Sequence, residues 1–162
     1  DHAGGAMKRV LVIGIGSLVM MDDSIGSRVV EAIESRLCKY NISSFVGETD
    51  FQCCFDEIRS GDHVVIIDAM IQSRQPGSIG IMPLSGALEN RSRFRSQHEF
   101  SLFDLIELHA PQTQGYFIGI EPVKIDFGFD LSATLKERFE QICSNVLNTV
   151  LHIAAKLQAF EV

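Results

Sequence analysis

The chain has 162 residues, of which 46% are hydrophobic and 22% are charged, as is typical of one folded domain with a well-filled core. Its formal net charge of -7 disfavours a nucleic-acid-binding protein, because such proteins need a basic surface. No apolar stretch approaches the roughly 20 residues that span a bilayer, so we expect no membrane insertion. We interpret residues 1–6 as the remnant of an expression tag and expect a single domain over residues 7–162.

Four cysteines occur in the chain, and none belongs to a C-x-x-C pair. No signal-peptide hydrophobic region follows Met7, so we expect a cytoplasmic protein with reduced thiols buried in its core. The cysteines are Cys38, Cys53, Cys54 and Cys143.

The hydrophobic pattern alternates between strands and helices along the chain. Short continuous apolar runs predict strands that are buried on both faces, and apolar residues repeated every three or four positions predict amphipathic helices. In chain order these are a strand at 10–13, a helix with apolar positions at 25, 29, 33 and 37, a strand at 43–46, a helix at about 51–58, a strand at 63–67, a strand at 79–82, a helix at 101–108, a strand at 116–120 and a final helix with apolar positions from Leu131 to Val150. This order predicts an α/β three-layer sandwich, a mostly parallel twisted sheet with helices on both faces.

A glycine-rich loop follows the first predicted strand, with Gly14 and Gly16 spaced as in a dinucleotide-binding fingerprint. The third glycine of that fingerprint is replaced by Val19, and the adjacent acids Asp22 and Asp23 would repel a pyrophosphate. Nucleotide binding is therefore disfavoured. The two acids precede Ser24 and the first helix, where we expect helix N-capping residues.

Polar residues collect where ligands bind in open α/β sheets, beyond the carboxyl ends of the strands. Asp68 ends the most apolar strand, so it either needs a compensating cation or donor, or it caps the following turn. His98 has no second histidine at helical spacing and is either a structural histidine or a ligand. Together with an acid from the loop that holds Asp22 and Asp23, these residues could form an O,O,N set that binds a divalent ion such as nickel or zinc and leaves coordination positions open.

The motifs taken in order resemble the [NiFe] hydrogenase maturation endopeptidase family. The family's opening strand and G-x-G-N-x-L-x-x-D-[DE]-x-x-G loop match 14–26, and its acid at the end of an apolar strand matches Asp68. Its S-x-H segment before a helix matches 96–98, and its late strand with a proline matches 117–122. The resemblance extends from about Met7 to the C-terminal helix.

The resemblance implies a nickel-dependent endopeptidase that removes the C-terminal extension of a nickel-loaded [NiFe] hydrogenase large-subunit precursor. Asp23, Asp68 and His98 would be its catalytic and metal-binding residues, with the nickel supplied by the substrate and cadmium or zinc able to occupy the site in vitro. Which group serves as the general base stays open. The chain departs from the family pattern at three positions, Ser17, Ser24 and Glu48, so a non-catalytic metal- or partner-binding member of the same fold is the alternative.

Overall fold

Five strands form one sheet in the spatial order β2-β1-β3-β5-β4 in the computed structural model, which describes residues 8–89 and 101–160. The strands are β1 (Val10–Ile15), β2 (Ser43–Glu48), β3 (His63–Ala69), β4 (Ile79–Pro83) and β5 (Gln114–Ile120). Strands β2, β1, β3 and β5 run parallel, and β4 pairs antiparallel with β5 at one edge. The sheet is therefore mostly parallel, as the alternating pattern predicts.

The register brings the carboxyl ends of the central strands to one edge of the sheet. Gly14 near the end of β1 lies opposite Ile67 of β3, and Asp68 lies opposite Gly119 of β5. Both central strands β1 and β3 are buried along their whole length. The polar groups that follow these strands are therefore gathered at this edge.

Helices cover both faces of the sheet. They are α1 (Ile25–Lys39), α2 (Phe51–Glu57), α3 (Leu84–Glu89), α4 (Leu102–His109) and α5 (Ala133–Phe160), with a 3-10 turn at Met21–Ser24 before α1. Helices α1 and α5 bury one hydrophobic cluster with the sheet, and α2, α3 and α4 bury the other. The predicted three-layer α/β sandwich is confirmed.

Two helices differ from the sequence predictions. Helix α3 was not expected, because its six residues are too few to show a helical repeat and include Gly86. Helix α5 continues to Phe160, well past the last predicted apolar position. Leu131 precedes α5 and packs against the same core from the loop, so the apolar repeat begins before the helix does.

All four cysteines are free thiols, but the expectation that all are buried is wrong. Cys54 and Cys143 are buried, whereas Cys38 and Cys53 are exposed on the outer sides of α1 and α2. Burial raises the pKa of the Cys54 thiol to about 12, so this group packs as an apolar residue. No helix among the described residues is both long and apolar enough to cross a membrane.

A buried histidine opens strand β3 at the edge of the sheet opposite the acidic residues. His63 is 7% exposed, and neither ring nitrogen has a hydrogen-bond partner among the described residues. Its ring instead packs against Tyr116, with 5.6 Å between the ring centroids. Burial, with a smaller effect from Lys8, lowers the pKa of His63 below its ordinary value.

We predict that His63 makes the protein less stable in weak acid. Since its folded-state pKa is lowered, the unfolded chain binds a proton first, and stability is lost as pH falls below about 6.5, the usual histidine pKa. His63→Phe keeps the ring contact and removes the titrating group. Thermal melts between pH 7.5 and pH 5.5 should show a smaller loss of Tm in this variant. His152→Gln, which removes an exposed histidine, is the control. If it reduces the loss of Tm as much as His63→Phe does, His63 is not the cause.

Candidate active site

The loop between β1 and α1 packs against the carboxyl edge of the sheet through three glycines. A Cβ atom on Gly26, in the first turn of α1, would lie 2.1 Å from the carbonyl oxygen of Ile67. A Cβ on Gly14 would lie 2.5 Å from the Gly26 carbonyl oxygen. Gly16 has a φ of 137°, and a Cβ there would lie 1.8 Å from the carbonyl oxygen of Asp23. Thus the glycines serve close packing of the loop and α1 on the strands.

Asp22 is fully buried and its carboxylate accepts four hydrogen bonds from a distant segment. The backbone N–H groups of Val123 and Lys124 donate at 2.9 and 3.0 Å. Ser132, immediately before α5, donates from its backbone N–H and from its hydroxyl, both at 2.7 Å. Asp22 therefore clamps the loop after β5 to the loop before α1.

Ser24 takes the N-cap position of α1, as expected, but the side-chain capping bond expected there is not made. Ser24 makes no side-chain cap, because its hydroxyl donates to the carbonyl oxygen of Met21 at 2.6 Å and accepts from Arg28 at 2.7 Å. Asp22 and Asp23 lie in the 3-10 turn before α1, and the Asp22 carboxylate accepts from Val123, Lys124 and Ser132. The Asp23 carboxylate accepts a hydrogen bond from the backbone N–H of Ser17 at 3.1 Å.

Asp23 and Asp68 lie close enough for their charges to interact, in a nearly dry setting. Asp23 is 7% exposed and Asp68 is 4% exposed. The backbone N–H of Ala69 donates to Asp68 at 2.7 Å, which is part of the turn-capping role considered from the sequence. Burial raises the pKa of Asp68 well above its ordinary value, and the charge of Asp23 raises it further. Two neighbouring carboxylates with little solvent favour a shared proton or a bound cation.

The third predicted ligand, His98, lies outside the described residues, so its position relative to the two carboxylates stays a prediction. Within residues 8–89 and 101–160, no three histidine, cysteine or acidic side chains are grouped to hold a metal ion. The described part of the site therefore contributes two residues of the predicted set, the carboxylates Asp23 and Asp68.

Glu121, which directly follows β5 at this edge, supports the loop that follows β3. Its carboxylate accepts from the backbone N–H groups of Gln72 and Arg74 at 2.8 and 3.2 Å. Ser132 is the residue that the sequence analysis missed. No local pattern reveals it, because its partner Asp22 is 110 positions away in the chain.

Glu48 stands at the end of β2 in a left-handed backbone conformation, with a φ of 52°. Its carbonyl oxygen accepts from the Gly16 N–H at 3.0 Å, so β2 also helps to hold the acidic loop. The side chain is exposed. Glycine adopts this conformation without steric cost, whereas a residue with a side chain such as Glu48 adopts it rarely.

Comparison with known proteins shows similarity to one protein family. The model of the hydrogenase maturation protease family, HycI, matches residues 27–149, which is more than half of the chain. The hydrogenase 2 maturation protease of Escherichia coli strain K12 is 27% identical over 150 residues, covering 86% of this chain and 88% of that protein.

Solved structures give the same fold. The hydrogenase maturating endopeptidase HybD from E. coli aligns with a TM-score of 0.73 at 22% identity, covering 89% of this chain and 93% of that one. The [NiFe] hydrogenase maturation protease HybD from Thermococcus kodakarensis aligns with a TM-score of 0.66 at 23% identity, covering 88% and 99% of the two chains. At these identities the alignments establish the fold.

We predict that Asp22→Ala destabilises the protein strongly. The substitution leaves the donors of Val123, Lys124 and Ser132 without their acceptor, at a cost of about 3 kcal/mol or more. Chemical denaturation should show this loss. In the matched control Asp126→Ala, an exposed carboxylate that bonds only its neighbour's N–H is removed, and stability should change little. Equal effects in the two variants would refute the clamp.

We predict that Asp68→Asn, in contrast to Asp22→Ala, makes the protein more stable at pH 7. Since the folded-state pKa of Asp68 is raised, its contribution to stability is present below the unfolded pKa of about 3.9 and is lost as pH rises through the folded value. The ionised group is thus destabilising at pH 7, and the neutral amide should raise Tm. Each kcal/mol added to the free energy of unfolding raises Tm by about 2–4 °C for a chain of this size. The melts are run with chelator, and a lower Tm than wild type would contradict the prediction.

Proposed function

The chain belongs to the hydrogenase maturation protease family, and from this premise we propose that it removes the C-terminal extension of a nickel-loaded [NiFe] hydrogenase large-subunit precursor. Membership makes it an endopeptidase of hydrogenase maturation. The observation that carries the finer proposal is the pair Asp23 and Asp68, two nearly buried carboxylates at the carboxyl edge of the sheet. The free thiols are consistent with work in the reducing cytoplasm, where we propose the protein acts.

Nickel enters this proposal as part of the substrate. Asp23, Asp68 and the sequence-predicted ligand His98 would complete the coordination of an ion that the precursor already carries. The donor set suits this role, because two adjacent carboxylates in a dry site repel one another until a cation or proton joins them. When present, the ion supplies Lewis-acid chemistry, either polarising the scissile carbonyl or activating a water.

The protein's own residues accept the proton that is released in the reaction and orient the carboxylates of the site. In the hydrolysis, a water oxygen bonds to the scissile carbonyl carbon, the C–N bond breaks, and the leaving nitrogen takes up a proton. A carboxylate of the pair can accept the proton that the water loses, and the Asp68 carboxylate, whose pKa is raised by burial, is suited to this role. Ser17 orients Asp23 through its backbone N–H.

A non-catalytic member of the fold is not favoured. Two of the departures that motivated it keep local hydrogen bonds that support the loop. The Ser17 hydroxyl accepts weakly from the Val19 N–H at 3.4 Å, and Ser24 bonds Met21 and Arg28. The third, Glu48, keeps its backbone bond to Gly16.

The test is cleavage of the nickel-loaded large-subunit precursor, followed by intact-mass spectrometry of both products. We expect wild type to release the C-terminal peptide, and Asp23→Asn, Asp68→Asn and His98→Ala each to slow cleavage by about 100-fold or more. Asp56→Asn, which changes an exposed acid of α2, is the matched control and should cleave normally. Unchanged cleavage in all three site variants would refute the site assignment.

A further inference from the structure

An apolar surface lies beside the candidate active site. Phe127 and Phe129 are 71% and 68% exposed, and their rings contact each other with 5.9 Å between centroids. The neighbouring loop before α1 exposes Leu18 and Val19 by more than a third each, and Val123 is 49% exposed. We call these five residues the apolar patch. Exposed aromatic pairs of this kind are unusual on a protein surface that has no partner.

The backbone beneath the patch is held rigidly. The Gly128 N–H donates to the Val19 carbonyl oxygen at 2.9 Å, and the Met21 N–H donates to the Gly128 carbonyl oxygen at 3.1 Å. Arg28 donates from one guanidinium nitrogen to the carbonyl oxygens of Leu18 and Phe129. The two segments that form the patch are thus one hydrogen-bonded unit. A backbone held in this way loses little further conformational freedom when a partner binds.

The patch is continuous with the acidic site. Asp22 clamps the segment 123–132 to the loop before α1, and the next residue, Asp23, is one of the two buried carboxylates. The Ser17 N–H donates to the Asp23 carboxylate at 3.1 Å, so the exposed Leu18 and Val19 directly follow a residue that contacts the candidate site. Exposed charged residues, Lys124, Asp126 and Asp130, surround the aromatic pair. An apolar centre with a charged rim is the usual arrangement of a protein-protein interface.

We propose that the apolar patch docks an apolar surface of the folded large-subunit precursor and so holds its scissile segment over Asp23 and Asp68. This inference rests on the proposed function. The occupant is the substrate rather than a second copy of this chain, because a copy seated on the patch would stand over the loop that carries Asp23. Affinity from a remote surface is useful to an enzyme that must select one protein and one bond.

The experiment compares the double variant Phe127→Ser, Phe129→Ser with wild type in binding and in cleavage of the nickel-loaded precursor. Binding is measured by biolayer interferometry in wild type and in the Asp68→Asn background, where we expect cleavage to be blocked. We expect the double substitution to weaken binding about tenfold or more and to raise KM, with kcat at saturating precursor unchanged. The rings are exposed, so Tm should stay at the wild-type value, and the single Phe127→Ser variant provides a milder change if it does not.

The matched control is Tyr40→Ser, which removes another aromatic side chain that is more than half exposed, at the far end of α1. It should bind and cleave like wild type. Wild-type affinity in the Phe127 and Phe129 variant would overturn the inference. A dimer of the free protein that the same substitutions dissociate would assign the patch to a second copy and would also overturn it. If wild type binds the precursor through the patch but does not cleave it, the proposed function fails and the docking surface stands.

Discussion

The close approach of the β1–α1 loop to the sheet is the constraint on which the rest of the structure depends. Gly14, Gly16 and Gly26 leave no room for a side chain against Asp23, Ile67 and neighbouring backbone carbonyls. Any larger residue would push the loop and the first turn of α1 outward from β1 and β3. The acids that follow the glycines would then leave the carboxyl edge, and Asp23 would no longer lie beside Asp68. The glycine spacing resembles that of a phosphate-binding loop, but here the loop brings two acidic side chains to the edge of the sheet.

The two adjacent acids of this loop have separate tasks, and hydrogen bonding distinguishes them. Asp22 has all its charge compensated by four donors from Val123, Lys124 and Ser132, so it acts as a structural tie. Asp23 receives one bond from Ser17 and has the second carboxylate, Asp68, as a neighbour. Asp22 thus ties the loop that carries Asp23 to the start of α5 and to the segment with the exposed aromatic pair. A change in any one of them would be felt at the candidate site.

The sequence was sufficient for the sheet, its parallel character and most helices, because buried strands such as 63–67 and amphipathic repeats carry strong local signals. It also indicated Asp23 and Asp68, which follow predicted strands and must therefore meet at one edge. It could not reveal the Asp22–Ser132 bonds, since two polar residues 110 positions apart share no local pattern. Ser24 takes the expected N-cap position, but its side-chain cap is missing because its hydroxyl bonds Met21 and Arg28 instead. The exposure of Phe127 and Phe129 likewise depends on contacts that only the folded chain makes.

The central claim is that the glycine loop assembles a cation site from Asp23 and Asp68. The most direct measurement is a crystal structure of the protein soaked with nickel or cadmium, with the ion located by its anomalous scattering. The account predicts one strong peak between the two carboxylates, with oxygen atoms of both at about 2.0–2.3 Å for nickel and with His98 as the further ligand. A peak bound elsewhere, with Asp23 and Asp68 free of metal, would contradict it.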